Sequence, residues 1–139
     1  MTPQEKAKWI VEKMMLKDAF SQWLGVRILE VGVGCCTLSA EIRPDMVNGF
    51  GICHGGISFS LADSAFAFAS NSHGVHAVSI ETSISHIKAV KVGDILTMTA
   101  VEKHLGKSTA IYHVEVKNQN QETVALFKGT VFRTGKVWE

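Results

Sequence analysis

Residues 54–72 read HGGISFSLADSAFAFASNS, and this stretch decides the fold. From Ile57 to Ser72 it contains no Gly or Pro, and Ile57, Phe59, Leu61, Ala62, Ala65, Phe66, Ala67, Phe68 and Ala69 put apolar groups on nearly every side of a helix. A helix of that composition is stable only when enclosed, so the rest of the chain must supply a wrapping. Ser58, Ser60, Ser64 and Ser70 carry hydroxyls short enough to return to the helix backbone. Asp63 has no such local outlet, and a carboxylate inside an apolar helix is costly without a reason.

Outward from this helix the hydrophobic period changes to two. Downstream it runs through Val78, Ile80, Thr82 and Ile84; through Leu96, Met98 and Ala100; through Ala110, Tyr112, Val114 and Val116; and through Val124 and Leu126, with strand formers continuing to Phe132. Gly93-Asp94, Gly106-Lys107 and the polar run from Asn118 to Gln121 supply the turns. Upstream, Val26, Ile28, Cys36, Leu38, Ala40 and Ile42 alternate around a turn at residues 32–34 and predict a hairpin that Pro44 ends. Residues 3–22 space Trp9, Ile10, Lys13, Met14, Lys17 and Phe20 by threes and fours, which predicts one amphipathic surface helix stopped by Gly25. The expected order is helix, two strands, buried helix, then about four strands. The connections are too short for parallel crossovers, so the class is α+β: five to six antiparallel strands around a central helix, with a further helix at the N-terminus.

Composition narrows the function. With 139 residues and 46% hydrophobic content, the chain suits a single domain spanning residues 1–139. A net charge of +1 without a long Lys or Arg run gives no electrostatic reason to expect nucleic acid as partner. The first residues interleave charges with apolar groups, which leads us to expect a soluble, cytoplasmic protein without a membrane segment. Three cysteines, two of them adjacent at 35 and 36, fit neither a disulfide framework nor a zinc-ligand pattern, so reduced thiols and no metal are expected. Gly32-Val33-Gly34 lacks the third Gly and the following helix of a dinucleotide site, and Gly56-Ile57-Ser58-Phe59-Ser60 lacks the closing Gly of a nucleophile elbow.

The chemistry concentrates between Asn48 and Asp63. Two glycines opening a helix expose backbone N–H groups, with no Cβ in the way, where the helix dipole is positive. Gly55 and Gly56 thus have the makings of an oxyanion hole, to which Asn48 can add a side-chain amide. Asp63 is the candidate general base or nucleophile. Each residue also has a purely structural reading: His54 as a helix cap, the glycines as a close helix–sheet contact, and Asp63 as a hydrogen-bonded buried acid. Eight positions at about 1.5 Å each put Asp63 roughly 12 Å along the helix from Gly55. One helix cannot offer both groups to a single carbonyl, so if both act they come from different subunits of a two-fold dimer.

In the register Asn48, His54-Gly55-Gly56, Leu61-Ala62-Asp63, the chain resembles the phenylacetate-degradation (PaaI-type) thioesterases of the hotdog-fold superfamily. The resemblance continues through Val78-Ser79-Ile80-Glu81, Val92-Gly93-Asp94 and Gly106-Lys107. It implies hydrolysis of an acyl-CoA, with phenylacetyl-CoA or a hydroxylated aryl-acetyl-CoA ahead of a medium-chain substrate, and Asp rather than Glu at position 63 sets it nearer the phenylacetyl-CoA type than relatives acting on hydroxybenzoyl or dihydroxynaphthoyl thioesters. It further implies that the Gly55 N–H polarises the carbonyl, Asn48 supports it, Asp63 of the neighbouring subunit attacks or activates water, Ser79 helps hold that water and His54 orients the loop. It implies sheets joined edge to edge in a dimer, commonly in a tetramer, and no cofactor beyond the CoA of the substrate. Lys88, Lys91, Lys103, Lys107 and Arg133 are candidates for the CoA phosphates, with Lys107 favoured, while Phe59, Phe66 and Phe68 are candidates for an acyl pocket. The Arg-Pro pair common in the family after position 87 is absent here, where Lys88-Ala89-Val90-Lys91 stands. Two rival readings are a hotdog hydratase or dehydratase, and a module that binds acyl-CoA without turnover and has no need of Asp63.

Overall fold

The computed structural model describes residues 1–139. Helix α1 (Pro3–Lys17) opens with a capping box, in which Thr2 Oγ1 accepts from the Glu5 N–H at 3.1 Å and Glu5 Oε1 accepts from the Thr2 N–H at 3.0 Å. The single helix expected over residues 3–22 is in fact two. Asp18 ends α1 and caps α2 (Ala19–Leu24), its carboxylate accepting from Ser21 N at 2.9 Å and Ser21 Oγ at 2.6 Å. Gly25 then stops α2 at φ 75°, a left-handed conformation that suits glycine.

The strands follow as β1 (Arg27–Gly32), β2 (Cys35–Glu41), β3 (Val75–His86), β4 (Ile95–Leu105), β5 (Thr109–Lys117) and β6 (Thr123–Val137), with α3 (Gly55–Asn71) between β2 and β3. They form one antiparallel sheet in the order β1-β2-β4-β5-β6-β3. Leu38, Leu96, Met98, Tyr112, Val114 and Phe127 alternate onto the face that wraps α3, which answers with Leu61, Ala62, Ala65, Phe66, Phe68 and Ala69. At the far end of α3 the buried Asn71 locks the turn into β3. Its amide donates to Ala67 O and Ala77 O, and its oxygen accepts from Ala77 N and Trp138 Nε1. No helix is long and apolar enough to cross a membrane.

Strand β3 departs from simple alternation. Its register against β6 shifts between Ser79 and Glu81, and this bulge changes the phase, so that Ile84 packs on the core while Val78 and Ile80 stand 52% and 59% exposed. β3 is also an edge of the sheet, so one side of its backbone is unpaired within the chain.

The tightest helix–sheet contact is at Gly129 in β6. A Cβ there would lie 2.6 Å from the Phe66 ring, and that ring is held by Tyr112 and Phe127 with centroids 6.0 and 5.5 Å away. Gly129→Ala is therefore expected to cost about 1–3 kcal/mol through overpacking, read as a lower urea midpoint.

Candidate active site

The loop before α3 is pinned through its backbone. Asn48 N donates to Ile52 O at 2.8 Å, Cys53 N to Val90 O at 2.8 Å and His54 N to Met46 O at 2.8 Å. Within it Asn48 Oδ1 accepts from the Phe50 N–H at 2.9 Å, which fixes the side chain and leaves its NH2 as the free end. Phe50 itself projects, 91% exposed.

His54 is the N-cap of α3, its Nδ1 accepting from the Gly56 N–H at 2.8 Å. The neutral ring's proton is thereby assigned to Nε2. This changes the expected oxyanion hole: the Gly56 N–H is already taken by His54, whereas the Gly55 N–H, first in the helix, has no acceptor within the chain. One backbone donor remains, not two. It faces a groove of about 350 Å³ whose lining includes Asn48, Cys53, Gly55, Ser58, His86 and Lys88. Burial pushes the Cys53 thiol up to about 11, so it is protonated at neutral pH and a poor nucleophile.

Asp63 lies two turns further on and is absent from that lining. Burial raises its carboxyl above the ordinary value and the nearby charge of Asp18 adds to the effect. Helix α2 sits against this point of α3, since Ser21 Oγ lies 2.8 Å from Ser64 Oγ. None of the side-chain hydrogen bonds that hold its neighbours engages the Asp63 carboxylate, and no ion pair neutralises it.

The remaining predicted residues scatter. Ser79 is exposed on β3, seven positions or roughly 23 Å of strand from His86, which touches Gly55. Lys107 is exposed in the β4–β5 turn, beside Gly106, whose carbonyl accepts from Arg133 Nη1 at 3.1 Å. Lys88 reaches the groove but is paired with Glu122, and Lys91 is exposed in the loop that Asp94 caps. Lys103 lines a larger depression of about 520 Å³ on the outer face of the sheet, which holds none of the expected catalytic groups. Phe66 and Phe68 are enclosed in the core, and Phe59 packs on Phe127 at 5.5 Å, so none of the three lines the groove at Gly55.

Two groove residues escaped the sequence reading. His86 Nε2 stands 3.1 Å from where a Cβ on Gly55 would be, and Ser58 Oγ lies 3.4 Å from His86 Nδ1. A signal for His86 existed: beyond the bulge, residues 82, 84 and 86 share the face turned toward α3.

Comparison with known proteins agrees with this architecture. The thioesterase superfamily model matches residues 50–125, more than half of the chain. The acyl-coenzyme A thioesterase PaaI of Escherichia coli K12 is 43% identical over 88% of this chain and 87% of its own length. The solved structure of the E. coli PaaI protein from the phenylacetic acid degradation operon superposes with a TM-score of 0.95, covering 98% of this chain and 99% of that one at 40% identity. A Streptococcus mutans UA159 protein solved bound to acetyl CoA gives a TM-score of 0.79 at 32% identity, over 81% of this chain and 91% of its own. One long helix wrapped by six antiparallel strands is the hotdog fold, and the chain belongs to the thioesterase superfamily as a relative of the PaaI thioesterases.

Proposed function

We propose that this chain hydrolyses acyl-CoA thioesters, with an aryl-acetyl group such as phenylacetyl or its hydroxylated forms as the acyl part, at sites shared between two subunits. The observation that carries the reading is the unpaired Gly55 N–H at the start of α3, beside the fixed Asn48 amide at the mouth of a groove. A thioester oxygen placed there meets one backbone and one side-chain donor in the positive field of the helix terminus, and both strengthen as the oxygen takes on charge. The carboxylate that activates water, or attacks the carbonyl directly, is Asp63 of the neighbouring subunit. Its own chain carries it about 12 Å from Gly55. The exposed edge of β3, with Val78 and Ile80, is the surface on which a second copy would pair, and antiparallel pairing of two β3 edges also sets the two α3 helices antiparallel. Ser79 and Lys107, remote from Gly55 in their own chain, would then serve the partner's site, Ser79 toward the water and Lys107 toward the CoA phosphates. Two such dimers would associate into a tetramer. Hydrolysis by a polarised carbonyl and a carboxylate calls for no cofactor. The relative named as an acyl-CoA thioesterase and the neighbour solved with acetyl CoA support the substrate class.

Asp63→Asn should lower CoA release from phenylacetyl-CoA by at least about 10²-fold, the usual scale for a catalytic acid or base. Binding of acyl-CoA without turnover, in wild type and variant alike, would identify a sensing module instead. The same substitution should raise the melting temperature at neutral pH. The folded state holds a proton on Asp63 more tightly than the unfolded chain does, so the ionised acid opposes folding above its raised pKa and the gap between the proteins closes as pH falls through it.

The acid limb of the kcat/KM profile should follow the ionisation of Asp63. Asp18→Asn keeps the α2 cap but removes the charge that helps raise the Asp63 carboxyl, so the limb should move to lower pH. A limb that stays in place would exclude Asp63 as its source.

Subunit sharing is tested with Gly55→Pro, which deletes the N–H at the first helical position, where proline is tolerated, and follows a His54 already at φ −61°, ψ 135°. Gly55→Pro and Asp63→Asn should each be inactive alone. Co-expressed with random pairing, they should recover about a quarter of wild-type activity, because about half the dimers are mixed and each mixed dimer has one complete site. No recovery would place both groups in one subunit.

A further inference from the structure

We propose that His86 is the acid that protonates the departing CoA sulfur, an assignment that rests on the hydrolytic reading above. The ring closes one side of the groove at Gly55, with Nε2 3.1 Å from the position a Gly55 Cβ would take. Its other nitrogen is held from within. Ser58 Oγ donates its one proton to Gly55 O at 3.2 Å, leaving only lone pairs for His86 Nδ1 at 3.4 Å, so Nδ1 is the donor in that contact. The ring's second proton, when present, is therefore on Nε2 and faces the groove. His86 is exposed, so Nε2 exchanges protons with water between turnovers.

The contents of the groove assign the recipient. A thioester whose oxygen sits on the Gly55 N–H has its sulfur and pantetheine arm in the groove whose lining also includes His86 and Lys88. With the oxygen already held by the Gly55 N–H, the atom of the thioester left for Nε2, which stands 3.1 Å from the position of a Gly55 Cβ, is the sulfur. The partner's carboxylate takes the proton of the attacking water, or forms the acyl bond itself, and so serves the opposite side of the carbonyl. When the tetrahedral intermediate collapses, the C–S bond breaks, its electron pair goes to sulfur and the Nε2 proton follows. CoA leaves as the neutral thiol and His86, now neutral, is reprotonated from solvent. Imidazole is suited to this exchange because its charge changes closest to neutrality among the side chains.

The experiment compares wild type and His86→Gln on two thioesters of one acyl group: the CoA ester, and an ester of 2-nitro-5-thiobenzoate, whose stabilised thiolate leaves without a proton. The expected result is a fall in kcat of about 10²-fold with the CoA ester and less than about threefold with the aryl thioester. Equal losses on both would give His86 a structural or carbonyl-polarising role, and no loss on the CoA ester would remove it from the reaction; either overturns the proposal. A second measurement covers an aryl thioester that the wild type turns over poorly. His86→Ala should regain CoA-ester turnover with added imidazoles, the gain tracking the acidity of each imidazolium, and a flat or absent response overturns the assignment. If the wild type is inert toward every acyl-CoA, the hydrolytic reading itself fails and the acid role falls with it. Hydrolysis that survives with a full His86→Gln rate refutes only the latter.

Discussion

Everything in this molecule is arranged around a helix that cannot face water. With Leu61, Ala62, Ala65, Phe66, Phe68 and Ala69 all buried, α3 has to be enclosed by the sheet, and the sheet has to be long and curved enough to do so. That demand places the helix start at the rim, because the N-terminal N–H groups can be satisfied only by a cap or by something that enters from outside. His54 satisfies one of them, and Gly55 is left for a ligand. The reactive end of the protein is thus a by-product of how its core is closed.

The fold was legible because its signals are periodic. The switch from all-round hydrophobicity in residues 57–72 to alternation on either side fixes the helix and its wrapping strands without reference to any contact. What failed was local. The break at Asp18 is a capping event by a residue that helix patterning reads as one more polar position, and the phase change in β3 comes from a bulge that alternation cannot foresee.

The site was legible only in part, for a different reason. Asn48 and Gly55 are close in sequence and line one groove, and His54 caps the helix that Gly55 begins, so short-range spacing was enough to group them. His86 and Ser58 join them across the fold, through a strand that enters the groove from a distant part of the sequence. The aromatic residues were ambiguous from the start: Phe66 and Phe68 at helical spacing serve a core as well as a pocket, and the close approach of Gly129 to Phe66 binds that ring to the core. Among the cations, a lysine's position in sequence says nothing about whether a glutamate has already claimed it, as Glu122 has claimed Lys88.

The sheet order has a consequence for how the chain reaches this state. Strand β3, residues 75–86, finds its only partner within this sheet in β6, residues 123–137, the last of the six strands in chain order. A chain growing from its N-terminus must carry Val78, Ile80 and the unpaired β3 backbone through the synthesis of two intervening strands before that ladder can zip. Loop closure over that separation is slow compared with forming the β4–β5 hairpin. Strand β6 is therefore a kinetic gate, and a chain lacking it would leave β3 bare on both sides, in the state best suited to pairing with the wrong molecule.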